Sequence, residues 1–316
     1  MKMKKVLLTV AAGAMMFTAV GFCGSAAHAA TTPKQVEVLL NTVKMKFPDA
    51  KPFQDGQGSV MVPIRFVSEA LGAKVTYSKT GKVSKVGIKS KDHTVDMTIG
   101  QTTAMVDGQK KDYGTQIILK QNRTFVPLRL VSEGLGQKVE WDKIGRWVWI
   151  GNKEFRSTDD KEFKIKPLSD FSAYGKSNYI FNNIKDEKYS GIKVIKQSDL
   201  PIRLGDGQVI YSLDLVKRNG ENYIAMRSSQ RGTPIEFLVK NDFAKGRSHV
   251  DNAFEINGDS TGTGYYPEIT ATDKFQNGKY IENFDYTKFR FKQADYILFS
   301  ASELKDYAVI LVNPFK

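Results

Sequence analysis

Apolar residues recur along this chain in two rhythms. Ile64, Val67 and Leu71, and again Leu128, Val131 and Leu135, stand three and four apart, which places each trio on one face of a short helix. Elsewhere apolar positions alternate with polar ones, or run in short blocks closed by Gly, Asn and Asp, and that pattern predicts strands. The first half gives strands at residues 36–40, 74–77, 85–89, 94–99, 103–106, 138–141 and 146–150. The second half gives strands at residues 191–195, 209–216, 222–227, 234–240, 288–291, 296–300 and 307–312, with one short helix at residues 302–306. Asn219-Gly220 between two of these runs is a hairpin signal, because both residues tolerate the positive φ of a two-residue turn. Asn257-Gly258 and Asn277-Gly278 mark further turns. Short helices on antiparallel strands make the first half α+β, and the second half reads as mainly β, a sandwich or a barrel.

The helical trios belong to a repeat with an offset of 64 residues. Val62-Pro63-Ile64-Arg65-Phe66-Val67-Ser68-Glu69-Ala70-Leu71-Gly72-Ala73-Lys74-Val75 returns as Val126-Pro127-Leu128-Arg129-Leu130-Val131-Ser132-Glu133-Gly134-Leu135-Gly136-Gln137-Lys138-Val139, with ten of fourteen positions identical. Tyr77 and Trp141 then hold matching aromatic positions. Pro63 and Pro127 suit the first helical turn, where no amide donor is needed. Gly72 and Gly136 stand where a short helix ends in a left-handed residue. Arg65 and Glu69, like Arg129 and Glu133, are four apart and suited to an ordinary surface ion pair. The run Trp147-Val148-Trp149-Ile150 reads as a strand contributing to a core rather than as a platform for sugars.

The start of the chain changes the compartment. Three lysines within Met1–Lys5 precede an apolar run to Phe22 and small residues ending Ala27-His28-Ala29, the order of a secretory signal. Residues 1–29 are therefore set apart from the fold, and the rest is expected outside the cell or on its wall, with no transmembrane segment. Phe22 precedes Cys23, the sole cysteine, where a lipid anchor would want a small residue. Cleavage after Ala29 leaves no cysteine, hence no disulfide. Charge is uneven: residues 31–154 hold 20 basic and 12 acidic residues, a net +8, whereas residues 155–316 are close to balance. An exported basic module is drawn to an anionic cell-wall polymer or surface, and no nucleic-acid motif accompanies the charge.

The phrase Val-Pro-x-Arg-x-Val-Ser-Glu-x-Leu-Gly, present twice, with Val38-Leu39-Leu40-Asn41 ahead and Trp141-Asp142 behind, resembles the copper amine oxidase N-terminal (stalk) domain over about residues 36–151. The resemblance implies an accessory or surface-attachment module of exported Gram-positive proteins and no oxidase activity. An amine oxidase copper centre needs three imidazoles, and the chain beyond its leader holds two, His93 and His249. Asn178-Tyr179 is followed by Ile180 and Asn222-Tyr223 by Ile224, so the Asn-Tyr-Asp/Glu sequence of a self-processing tyrosine is missing. No cofactor is expected. The domains expected are residues 31–153 for the duplicated module, 154–166 for a linker, and 167–316 for a β-rich region of no family resemblance.

Chemistry in the second half is sparse. Gly258-Asp259-Ser260 matches part of two hydrolase nucleophile phrases, with His249 eleven residues ahead, but residues 257–264 read better as a polar loop. Asp251, Glu255, Asn257 and Asp259 form an oxygen-rich cluster of the kind calcium prefers, without EF-hand spacing. The leading expectation is a secreted, non-catalytic binding or structural protein whose β-rich half meets another extracellular molecule, such as a protein. The alternative is a secreted wall- or polymer-active hydrolase with its active site in residues 167–316, using Ser260 and His249.

Overall fold

The structure, a computed structural model, describes residues 35–183, 185–229, 233–250, 255–300 and 306–316, apart from the side chains of Ser132 and Asn178. The leader at residues 1–29, Asp251, and most of the helix expected at residues 302–306 lie outside that set. The described residues are 43% strand and 13% helix, so the architecture is one of several sheets with a few short helices.

Among the described residues the first half runs β1 (Glu37–Leu40), β2 (Val43–Lys44), β3 (Phe53–Gln54), β4 (Val60–Pro63), α1 (Ile64–Ala70), β5 (Lys74–Thr80), β6 (Val83–Lys89), β7 (Thr94–Thr98), β8 (Thr103–Val106), β9 (Gln109–Asp112), β10 (Ile118–Lys120), β11 (Arg123–Pro127), α2 (Leu128–Gly134), β12 (Val139–Asp142) and β13 (Trp147–Ile150). They form sheets of order β12-β13-β1-β2, β10-β11-β4-β3 and β5-β6-β7-β8-β9.

The repeat is a pseudo-dyad. β4 pairs antiparallel with β11, and Val62 lies opposite Val126, its own counterpart 64 residues on. A two-fold axis therefore passes between those valines, and the sheet reads alike outward to β3 and β10. Each proline closes its strand and stands at the N-cap, one residue ahead of the helical position the sequence suggests. Gly72 (φ 74°) and Gly136 (φ 62°) are left-handed. In the first copy Gly72 N–H bonds the Glu69 carbonyl at 3.0 Å and Ala73 N–H the Ser68 carbonyl at 2.8 Å, the two bonds of a Schellman ending. Ile64, Val67, Leu130 and Val131 fill one core with Val62 and Val126 at its centre.

After each helix comes a hairpin. In the first copy Val75 lies opposite Ile88 and Tyr77 opposite Val86. In the second, Val139 lies opposite Ile150 and Trp141 opposite Val148. Lys85 and Gly87 of β6 thus correspond in space to Trp147 and Trp149 of β13. The inward positions agree: Val86, Ile88, Val148 and Ile150 are all buried in the shared core. The neighbours differ, since β6 takes the antiparallel β7 while β13 takes β1 in parallel.

The second half adds β14 (Ile165–Lys166), β15 (Gly191–Ile195), β16 (Ile202–Arg203), β17 (Val209–Arg218), β18 (Glu221–Ser228), β19 (Ile235–Leu238), β20 (Lys245–Arg247), β21 (Glu255–Ile256), β22 (Gly262–Pro267), β23 (Phe275–Gln276), β24 (Lys279–Tyr280), β25 (Tyr296–Phe299) and β26 (Tyr307–Val312). A sheet of order β14-β15-β26-β25-β19-β20 faces another of order β16-β17-β18-β22-β21. Ile210, Leu213, Ile224 and Met226 meet Phe237, Ile297, Val309 and Leu311 between them. The larger sheet is buried on its far side too, where Ala308 and Ile310 pack against Phe171 and Tyr174 of the 3-10 helix Leu168–Tyr174. Burial on both faces is why β26 reads as an unbroken apolar run.

Two expectations need correction. Residues 288–291 are not a strand but lie across the 3-10 turns Tyr286–Lys288 and Phe291–Gln293. The Asp285 carboxylate accepts from Thr287 N–H at 3.1 Å, and Gln293 accepts from Arg290 N–H at 2.5 Å, so side chains take the backbone donors a ladder would need. Buried Phe289 and Phe291, two apart, imitate strand alternation. Residues 257–264 are only partly loop: β22 begins at Gly262, and its Gly262, Gly264 and Tyr266 face inward.

Candidate functional site

The outer side of β13 is covered by the second half of the chain, and Pro33–Lys316 form one compact unit. Leu39, Trp147 and Trp149 pack against Phe155 and Tyr211. Trp147 stacks on Tyr211 with ring centres 6.5 Å apart, and Trp149 and Tyr211 meet Phe155 edge-on at 6.0 and 5.4 Å. The Trp147 indole N–H donates to the Glu37 carboxylate at 2.9 Å, which satisfies the polar atom that burial would strand. These tryptophans thus pack in a cluster of their own, as an internal seam, and not in the dyad core.

Arg227 of β18 anchors this seam. Its guanidinium donates to the Asp142 carboxylate at 2.6 Å, to Asp259, and to the Thr261 hydroxyl at 3.0 Å. It also lies over Tyr211, 4.8 Å from the ring centre. Asp142, from the repeat module, is held by the Ile144 and Gly145 amides of its own turn, both at 3.0 Å. The side chains of Arg227 and Asp142 are 5% and 8% exposed, so the pair is desolvated and loss of either partner strands the other. Gly145 is required by proximity, because a Cβ there would sit 2.9 Å from Trp147, 3.0 Å from Arg227 and 3.1 Å from Asp142. Burial alone would raise the Asp259 carboxyl, but the Thr261 hydroxyl and amide and the Arg227 charge outweigh it and hold the group below its usual range. Arg227 carries a signal in the sequence: a charge closing the apolar run Ile224-Ala225-Met226 has to find a partner.

Two hollows flank the seam. A cleft of about 750 Å³ is lined by Glu37, Lys44, Lys51, Arg156, Asp199 and Asp214, and a smaller one of about 400 Å³ by Trp141, Lys143, Lys153, Tyr211 and Arg227. Both mix charges of each sign, with counter-ions in place: Lys44 pairs with Glu37 at 2.9 Å, Arg156 with Glu162 at 3.2 Å, and Lys153 with Glu140 at 2.5 Å.

The residues singled out by sequence fall as follows. Ser260, exposed and left-handed (φ 65°), sits in the turn before β22. His249 packs beside Gly264, edge-on to Tyr266 at 6.3 Å. Four residues of chain, on the order of 10 Å when extended, separate Ser260 from Gly264. Glu255 accepts from the Tyr265 hydroxyl at 2.9 Å and pairs with Arg218 at 3.5 Å. The Asn257 amide donates to Thr261 at 2.8 Å, and Asp259 turns to Arg227. Among the described residues no group of three His, Cys, Asp or Glu is placed to hold a metal ion. Arg65 and Glu69 are 3.9 Å apart and exposed, while Glu133 accepts from Lys111 at 3.3 Å and from the Tyr113 hydroxyl at 3.5 Å. Among carboxyls, burial pushes Glu236 above its usual range, only partly offset by the Tyr179 and Ser300 hydroxyls.

Residues 39–150 match the family model of the copper amine oxidase N-terminal domain. The matched segment runs from β1 to the end of β13 and so contains both copies of the repeat. A protein of Brevibacillus choshinensis named protease inhibitor is 28% identical over 134 residues, which cover 42% of this chain and 40% of the relative. The match thus spans well under two thirds of that relative's length.

Proposed function

We propose that the protein is an exported, non-catalytic binding protein. Its duplicated module attaches it to the anionic cell wall, and its β-rich half presents a surface to another extracellular protein. The observation that supports this most is the seam. A copper amine oxidase N-terminal domain spends the outer face of one repeat, Trp147 and Trp149, on gripping the second half, and Arg227 closes the joint with a desolvated ion pair. Such a joint suits a rigid connection between an anchor and a presented surface. Export rests on the order of residues 1–29, and wall affinity on the net +8 of residues 31–154. The name of the Brevibacillus relative supports binding of a protein over catalysis. The engagement of Asp259 by Arg227 speaks against the hydrolase alternative, which would want a carboxylate turned toward His249.

Two assays on the chain from Ala30 onward test this reading. Sedimentation with isolated walls should fall as added salt shortens the screening length from about 10 Å at 0.1 M to about 3 Å at 1 M. The same walls should release no soluble fragments. Fragment release that Ser260→Ala abolishes would overturn the non-catalytic reading.

A further inference from the structure

We infer that the outer face of the β5–β6 hairpin is the surface that holds a linear phosphodiester polymer of the wall. The inference rests on the wall-binding reading above and names its site. Residues 74–91 carry six lysines, at 74, 79, 82, 85, 89 and 91, and no acidic residue. All six are exposed. Among the described residues none of them has an ion-pair partner, whereas Lys44, Lys111, Lys138 and Lys153 of the same half are paired with glutamates.

The strand register puts three of these charges, Lys74, Lys85 and Lys89, on one face, while Lys79, opposite Ser84, stands on the other. Val86 and Ile88 point into the core, so Lys85, Gly87 and Lys89 point away from it. Lys74 lies directly opposite Lys89. Like charges about 5 Å apart across a strand pair repel, and a bound phosphate between them reverses the sign of that contact. Hydroxyls surround them: Ser78 and Thr98 lie opposite Lys85, and Thr94 opposite Lys89. Ammonium groups and hydroxyls together form charge-assisted hydrogen bonds to phosphate oxygens. Asp96, the acid within this face, lies opposite Gly87, between the rows of Lys85 and Lys89.

The layout selects a polymer. From Lys82 at the tip to Lys89 the charges extend over about 23 Å along β6, more than one headgroup can occupy and suited to a chain of repeated phosphates. The hairpin's exposed apolar side chains, Tyr77 and Val83, lie on opposite faces by the same register, so they make no wedge for a bilayer. In the second repeat the positions of Lys85 and Gly87 are Trp147 and Trp149, which are buried, so the module offers this face once.

The test uses the chain from Ala30 onward and poly(glycerol phosphate) as the probe. A triple variant, Lys74→Gln with Lys85→Gln and Lys89→Gln, is compared with a charge-matched control, Lys161→Gln with Lys164→Gln and Lys188→Gln, and with the three hairpin lysines changed to Arg. The hairpin Gln variant should bind at least about tenfold more weakly at low salt and show a shallower salt dependence, while the control and the Arg variant stay within about twofold of the parent. Its melting temperature should equal or exceed the parent's, because a cross-strand repulsion has been removed. Equal losses in both Gln variants would overturn the assignment of the surface and leave only net charge. Undiminished binding by the hairpin variant would overturn it too, as would preference for phosphatidylglycerol vesicles over the polymer. Failure of the parent to bind the polymer at all would instead overturn the wall reading on which the inference stands.

Discussion

In the first copy of the repeat the second strand of the hairpin after the helix turns Lys85 and Gly87 outward; in the second copy the same two places hold Trp147 and Trp149, and solvent is excluded. The buried inner positions are shared, with Val86 and Ile88 matching Val148 and Ile150. The comparison separates two kinds of constraint. Inner positions answer to the dyad core and admit only close-packed apolar groups. Outer positions answer to whatever lies beyond the sheet, which is the second half of the chain in one case and the surroundings in the other.

The largest effect should come from truncating one member of the outer pair. Trp147→Ala should cost about 3–5 kcal/mol in urea unfolding, as loss of a large buried aromatic does, whereas Lys85→Ala at the matching place should change stability by less than about 0.5 kcal/mol. A similar loss is expected for Arg227→Ala, about 3–5 kcal/mol, because Asp142 is then left buried without its counter-charge. Arg227→Lys should restore little of it, since one ammonium cannot serve Asp142, Asp259 and Thr261 together.

The two glycine endings sharpen the comparison further. Both are left-handed, so alanine costs about 1 kcal/mol of backbone strain at either. At Gly72 the new methyl meets open space, but at Gly136 it would lie 2.5 Å from the His93 ring, which Asp107 holds at 2.8 Å. Gly136→Ala should therefore lose about 2 kcal/mol or more, and Gly72→Ala about half that, by thermal melting.

The smallest effect concerns acid. Hydrogen bonds from Lys138 and Lys153 outweigh burial and hold the Glu140 carboxyl down to about 2, while the matching residue of the first copy is the uncharged Thr76. A carboxyl lowered in the folded state stabilises above its unfolded value of 4.5 and ceases to do so as pH falls toward about 2. Over that window the parent should lose a few tenths of a kcal/mol relative to Glu140→Gln, the scale of a solvent-exposed pair.

Local order was legible in the sequence because local chemistry sets it. The proline-led helices, their glycine endings and the Asn219-Gly220 hairpin (φ 50° and 83°) all depend on residues a few positions apart. The pairing of β4 with β11 joins residues 64 apart across a dyad, and nothing in either strand alone announces its partner. The tryptophan seam was hidden for a related reason: Trp147 and Trp149 read as core-forming, but the core they enter is completed by Phe155 and Tyr211 from another part of the chain. β22 was obscured by Gly262 and Gly264, whose missing side chains look like a loop yet let the strand pack inward beside Tyr266. The outer lysines were visible only as a charge excess until the register placed Lys74 opposite Lys89.

Lysine acetylation of the chain from Ala30 onward, with and without saturating poly(glycerol phosphate), reads the outer face of the first copy directly. The account predicts strong protection of Lys74, Lys85 and Lys89 with Lys161, Lys164 and Lys188 unchanged. Uniform protection of all six, or protection confined to the second half, would contradict it.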